Sequence, residues 1–317
     1  MIPLAGKGPL RGQALQEIVA SGGSVCCVGD RIGDSGRGAN VQIDAGGCTV
    51  VPGFVDPHTH LPFFGWRADE DAARLSGLRY EALHRREGGI YRSARMLSEA
   101  SDDRVVQFAS ELAAVMLRKG TTTFETKSGY GLSLEAEARQ LRLARELAAR
   151  VPQTVVATCL AAHTVPHGKT EGEWIGEVAE ELLPAVAEEG LASACDIYVE
   201  SIAFQLEHAA RLTQTSEELG LMMRMHADQL EDGQSTAFAA RWGLRSADHL
   251  NHASLDAVDD LAESNTAAVL LPGATFTLRQ DKKPPARRLI EAGAIVALGT
   301  DLNPGTSPIH SMPFVIA

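Results

Sequence analysis

The sequence has no surplus of positive charge, no long apolar run, few cysteines and no glycine-rich phosphate loop, and each absence removes a class of function. Its 29 Lys and Arg stand against 41 Asp and Glu, a formal net charge of −12, so there is no basic surplus to neutralise nucleic-acid phosphates. The imbalance reads more simply as a solubility property. No uninterrupted apolar stretch reaches the length of a membrane-spanning helix, and the N-terminus lacks a charged-then-apolar secretory pattern, so no membrane partner is expected. The five cysteines, Cys26, Cys27, Cys48, Cys159 and Cys195, are odd in number, and their spacing fits neither a zinc knuckle nor a disulfide framework. A reducing cytoplasm is the expected home.

What is present is ordinary for a globular protein: 317 residues, 44% hydrophobic and 22% charged, enough for one large α/β barrel or two domains. Up to about residue 50 the chain shows short β-type runs, at 22–32 and 41–51, separated by Gly, Ser and Asn. A helical turn is expected at Leu15–Ala20. From Val51 a strand-then-helix pattern repeats. The first strand ends at His58 and His60, and a long connection runs from 61 to about 100. Ser101, Asp102 and Asp103 open a helix carrying Val105, Phe108, Leu112 and Val115 at helical spacing, closed by Gly120. Further strands are expected at Thr121–Glu125, Gln153–Leu160, Ala194–Val199, Leu221–Met225, Ser246–Leu250, Ala267–Leu271 and Ile295–Gly299. Helices fall between them, at 133–147, 174–189, 205–219, 235–242, 255–264 and 286–292. Eight strands alternating with helical segments predict a (β/α)8 TIM barrel, since parallel strands need a covering crossover each time. An open doubly wound sheet is the runner-up, disfavoured by the eight units and the missing phosphate loop.

Nearly every strand delivers an ionisable group at its C-terminal end, the face on which barrel enzymes build their sites. His58 and His60 follow the first strand, Glu125 and Lys127 the second, His163 the third and Glu200 the fourth. His226 and Asp228 follow the fifth, Asp248 and His249 close the sixth, and Asp301 follows the eighth. His58 and His60, one residue apart on extended chain, face the same side. With His226 and Asp301 they offer three imidazoles and a carboxylate, a donor set for one divalent metal with a position left for water. Alone, His226 reads as a core histidine and Asp301 as a loop cap; the four together outweigh both readings. Asp301 or His249 is placed to act as base.

Several segments together resemble the imidazolonepropionases, a family of the amidohydrolase superfamily. They are Pro-Gly-Phe-Val-Asp-Pro-His-Thr-His at 52–60, Lys-Ser-Gly-Tyr-Gly at 127–131, Ala-Ala-His at 161–163 and His-Ala-Asp-Gln at 226–229. Ala-Asp-His-Leu at 247–250, Leu-Leu-Pro-Gly-Ala at 270–274 and Thr-Asp-Leu-Asn-Pro-Gly-Thr-Ser-Pro at 300–308 complete the likeness. The histidine pair marks only the superfamily; the 127–131 and 300–308 segments are more specific.

The resemblance implies hydrolysis of the ring amide of 4-imidazolone-5-propanoate to N-formimino-L-glutamate, in histidine degradation. It implies His58, His60, His226 and Asp301 as ligands of one zinc or iron ion. Arg67 would hold the substrate carboxylate, with Tyr130, His163, Asn303 and Gly305 as further substrate contacts. His249 would transfer a proton or polarise the carbonyl. Gln229 stands where some relatives carry a glutamate, and both it and the neighbouring Asp228 are assigned to the site. Lys127 follows the second strand rather than the fourth, which argues for one metal over a lysine-bridged pair.

The family continues well past the position of Asp301, whereas this chain stops at Ala317. The expectation is a C-terminally truncated member, with a partial β-sandwich segment at 1–50 and a barrel at 51–317 lacking its last helix and exposing apolar surface there. The partner is a small molecule, and a homodimer is left open. The alternatives are another amidohydrolase, such as a heterocycle deaminase, and an inactive truncated relative.

Overall fold

A computed structural model of the chain describes residues 26–28, 31–33, 48, 51–77 and 88–317. The chain divides into two units, Met1–Gly53 and Phe54–Ala317. In the first, β1 (Cys26–Val28) pairs antiparallel with β2 (Arg31–Gly33). The turn expected at Leu15–Ala20 lies outside the described residues, as does all of 41–50 except Cys48.

The second unit is a barrel of parallel strands in sequence order: β3 (Phe54–Asp56), β4 (Thr121–Lys127), β5 (Thr154–Ala162), β6 (Ala194–Val199), β7 (Met222–Ala227), β8 (Ser246–His249), β9 (Ala267–Leu270) and β10 (Ile295–Leu298). The order leaves β3 and β10 at the two edges, and these meet just beyond their C-terminal ends. Asp301 N donates to His58 O at 3.0 Å and His60 N donates to Leu302 O at 2.9 Å. Asp56 reinforces the seam, its carboxylate accepting Thr300 N at 3.0 Å and Thr300 Oγ1 at 2.6 Å. The closing seam therefore runs between His58, His60 and Asp301.

The covering helices follow from caps and periodicity. α1 (Ala68–Leu75) and α2 (Ile90–Ser98) lie within the stretch expected as a connection. α3 (Asp102–Arg118) buries Val105, Ala109, Ala113 and Met116 on one face. α4 (Leu134–Arg150) starts where the Ser133 side chain accepts Ala136 N. α5 (Glu171–Glu177) opens on a capping box made by Thr170 and Glu173, and continues through a π turn into α6 (Leu183–Glu188). α7 (Leu206–Glu218), α8 (Ser235–Arg241), α9 (Leu255–Glu263), α10 (Pro272–Leu278), α11 (Ala286–Ala292) and α12 (Met312–Ile316) complete the set. α10, outside the helices expected from sequence, opens with Pro272 at the first helical position.

The apolar core lies between the outer strand faces and these helices, around Trp174, Ile175, Leu183, Leu212, Val258 and Leu261. The barrel interior instead carries charge: Glu125, Lys127, Asp196 and Asp248 are buried there. Beside β10 apolar side chains face solvent, with Phe276 76% and Phe314 62% exposed. Among the described residues no helix is long and apolar enough to cross a membrane.

Candidate active site

The strand ends at the barrel mouth place the site. His58 and His60 lie just past β3, and their Nε2 atoms are 3.3 Å apart. His226 sits near the end of β7, and one ligating atom from each of the three imidazoles lies within 4.8 Å of the others. Asp301 enters from the loop after β10, its Oδ1 3.2 Å from His60 Nε2 and 3.6 Å from His58 Nε2. All four residues are buried, so the donors cannot satisfy themselves with bulk water.

A second layer of carboxylates orients two of the rings. His58 Nδ1 is 2.6 Å from Asp248 Oδ2, and His226 Nδ1 is 3.1 Å from Asp196 Oδ1. A ring that donates through Nδ1 leaves Nε2 as a bare lone pair. His226 Nε2 is buried without any hydrogen-bond partner, and His58 Nε2 faces another imidazole nitrogen and a carboxylate. Lone pairs and an anion converging in a buried space fit a divalent cation, and carboxylate-backed histidines are the usual surroundings of one.

The electrostatics agree. Burial, together with the Lys127 charge and the neighbouring imidazoles, holds the pKa of His58 well below the ordinary value, so its ring stays neutral. Burial and then His226 do the same for His60, and burial and then His60 for His163. His249 falls to about 3, chiefly by burial. Burial raises Asp301, against the pull of the adjacent imidazoles. Asp301 and His249 hold left-handed backbone conformations, φ +54° and +81°, the kind of local strain that clusters at functional sites.

A cavity of about 390 Å³, counted out to its open mouth, sits over the cluster. His60, His226, His249 and Asp301 form part of its floor, and Arg67, Tyr130, His163, Gln229 and Asn303 line it. Of the residues expected from sequence these come together. His60 and His163 stack with ring centroids 5.2 Å apart. The Arg67 guanidinium is buried and pinned: Nη1 donates to Gly89 O and to Ser93 Oγ, the latter at 2.8 Å, and Nε lies 3.2 Å from Glu70 Oε2. Asn303 organises its loop, its Oδ1 accepting Gly305 N at 3.0 Å and Thr306 N at 2.7 Å. Gly305 packs under Arg67; a Cβ there would lie 1.8 Å from Nη2.

Asp228 is placed elsewhere. Its φ of +46° turns the side chain away from the cavity and into the start of α8. There Oδ1 accepts Gly233 N at 3.0 Å and Ser235 N at 3.1 Å, and Oδ2 accepts Thr236 N at 3.0 Å. A carboxylate saturated by backbone donors is a loop anchor, so the expected catalytic part for Asp228 is corrected to a structural one. Glu200 likewise holds backbone, its Oε1 accepting Gln229 N at 2.6 Å and Leu230 N at 2.8 Å. Burial pushes its carboxyl up to about 8.

The Lys127 ammonium is 2.7 Å from Glu125 and 2.8 Å from Asp196, engaged by carboxylates rather than offered as a free amine. Sequence reasoning missed Asp196, Arg224, Tyr198 and Thr306. A usable signal was there: on β6 and β7 polar residues alternate, Asp196 with Tyr198 and Arg224 with His226, which marks the inward face.

The sequence profile of the amidohydrolase family matches residues 49–316. The imidazolonepropionase of Symbiobacterium thermophilum is 42% identical over the whole of this chain and 78% of its own length. That of Paraburkholderia phymatum is 42% identical over 86% of this chain and 68% of its own. Among solved structures, guanine deaminase from C. acetobutylicum superposes with a TM-score of 0.58 at 15% identity, over 84% of this chain and 64% of that one. A zinc-bound adenosine deaminase from Xanthomonas campestris gives 0.54 at 18%, over 79% and 56%. Identities this low show the shared barrel alone.

Proposed function

The chain belongs to the amidohydrolase family, among the imidazolonepropionases, and from that premise we infer how its residues divide the work. It is a hydrolase of carbon–nitrogen bonds in cyclic amides, opening the ring of 4-imidazolone-5-propanoate to N-formimino-L-glutamate in histidine degradation. The observation that carries the assignment of roles is the convergence of the His58 and His226 Nε2 lone pairs with His60 and Asp301 under a cavity lined by a buried guanidinium.

His58, His60, His226 and Asp301 would hold one divalent ion, zinc or iron, both of which accept imidazole with carboxylate. Bound there, the ion supplies an activated water at neutral pH and polarises the ring carbonyl. The chain's own residues do the rest. Arg67 presents its guanidinium to the propanoate carboxylate, a charge-assisted contact that fixes the ring relative to the floor. Tyr130, His163 and Asn303 close around the ring, and Gly305 leaves Arg67 the room to point inward.

Asp301, on the cavity floor with its Oδ1 3.2 Å from His60 Nε2, is placed to accept the proton from water. His249, at about 3, is a neutral imidazole suited to donating a hydrogen bond to the carbonyl oxygen as charge develops there. The proton taken from water passes to the ring nitrogen as the C–N bond breaks. Gln229 touches the substrate through its amide and moves no proton. As a metabolic enzyme the chain is assigned to the cytoplasm.

The test is turnover. Metal-replete protein should remove the ultraviolet absorbance of 4-imidazolone-5-propanoate and release no ammonia from a purine and pyrimidine panel. Ammonia release without loss of that absorbance would replace this reading with a deaminase.

A further inference from the structure

Beneath the candidate metal ligands lies a buried cluster of opposite charges that the chemistry above does not use. Lys127 lies at its centre with its side chain fully buried. Its Nζ is 2.7 Å from Glu125 Oε1, 2.8 Å from Asp196 Oδ2 and 3.9 Å from Asp248 Oδ2. These acids reach two ligand-bearing segments, β7 and the histidine pair after β3. Asp196 meets His226 Nδ1, Asp248 meets His58 Nδ1, and Glu125 Oε2 accepts the backbone N of Thr59, between the two histidines, at 3.4 Å. Arg224 is the second cation, its Nη2 donating to Pro57 O at 2.7 Å and lying 3.4 Å from Asp248 Oδ2.

We propose that Lys127 is a positioning residue for the metal centre: by gripping Glu125 and Asp196 it fixes the carboxylate that selects the His226 tautomer and the backbone that carries the histidine pair. The inference rests on the metal-dependent reading above.

Physical chemistry makes the lysine more than filler. An unpaired buried carboxylate is costly and turns toward whatever donor remains. Without Lys127, the Asp196 carboxylate loses its 2.8 Å anchor and is no longer held square to His226 Nδ1–H. The Nε2 lone pair would then be presented for less of the time. Carboxylates behind metal-bound histidines raise ligand basicity and fix ring orientation, and losing one typically costs about 10- to 100-fold in metal affinity.

The test compares the parent with Lys127→Met and with Lys127→Met/Glu125→Gln, which keeps the charge balance. Cobalt(II) affinity is read by competition with a chelator, the visible cobalt spectrum reports ligand geometry, and a thermal melt of metal-free protein reports folding. Both variants should melt cooperatively, bind cobalt about 10- to 100-fold more weakly and show an altered spectrum. A folded variant lacking Lys127 that keeps parental affinity and spectrum overturns the proposal. Should neither fold, Lys127→Arg, which keeps the charge but not the ammonium's geometry between Glu125 and Asp196, decides: weaker cobalt binding with an altered spectrum supports the proposal and parental binding overturns it. A parent that binds no cobalt at all would instead sink the metal-dependent reading itself.

Discussion

Replacing Gly305 with alanine should cripple substrate capture without touching a reacting group. A Cβ at this position falls 1.8 Å from Arg67 Nη2 and 2.3 Å from its Cζ and Nε. Gly305 does not occupy the left-handed region, so the backbone tolerates alanine and the collision is the whole effect. The guanidinium has no easy retreat, because Ser93 Oγ at 2.8 Å, Gly89 O and Glu70 Oε2 at 3.2 Å hold it from the other side. It must leave either those partners or the cavity. A charge-assisted hydrogen bond contributes about 1.5–3 kcal/mol, so losing the one to the substrate carboxylate should lower kcat/KM about 10- to 150-fold. Steady-state kinetics with 4-imidazolone-5-propanoate reads this directly, and Arg67→Ala gives the reference loss. Because both changes act on one contact, the double variant should be little worse than Arg67→Ala alone. Parental kcat/KM in a folded Gly305→Ala protein would refute the assignment of Arg67 as the carboxylate clamp.

Other expectations follow from the same geometry. Glu200 has its folded-state pKa raised from 4.5 to about 8, so its contribution to stability is complete only below the unfolded-state value and is lost progressively as pH rises from there through about 8; Glu200→Gln should flatten the fall in Tm across that window. Ser133→Ala removes the acceptor for Ala136 N at the start of α4, costing about 1 kcal/mol and lowering Tm by about 2–4 °C. Asp228→Ala should cost about 1–3 kcal/mol in urea unfolding through its orphaned backbone donors, while Asp228→Asn, which keeps an acceptor, loses less. Chelation should abolish turnover and lower Tm, since an ion present at 100 times its Kd stabilises the fold by about 2.7 kcal/mol.

Strand positions were legible because a barrel strand is a short β-branched or apolar run between punctuating glycines and capped helices. Ala194–Val199 is found as expected, and the helix expected after Ser101 runs over Asp102–Arg118. The stretch from 61 to 100 read as connection because α1 carries three acids in its first turn and little apolar surface, so its helix depends on tertiary contacts such as Arg67 with Glu70. The ionisable groups at the strand ends were visible, but not which way each would face. Asp228 and Gln229 are adjacent in sequence, and the left-handed turn at Asp228 sends its carboxylate to α8 while Gln229 lines the cavity. Asp196 and Arg224 carried no motif. Their meaning lies in partners on other strands, 69 residues away for Lys127 with Asp196, which only closure of the barrel brings into contact.

We propose that three imidazoles and one acid bind a single ion: His58, His60 and Asp301 from the closing seam, and His226 from β7. The most direct test is the metal content of the purified protein by elemental analysis, set beside the same measurement on His226→Ala. The account predicts about one zinc or iron per parent chain and far less in the variant, with both proteins folded. Equal metal in the two, or a folded parent that takes up none when supplied with either ion, would contradict it.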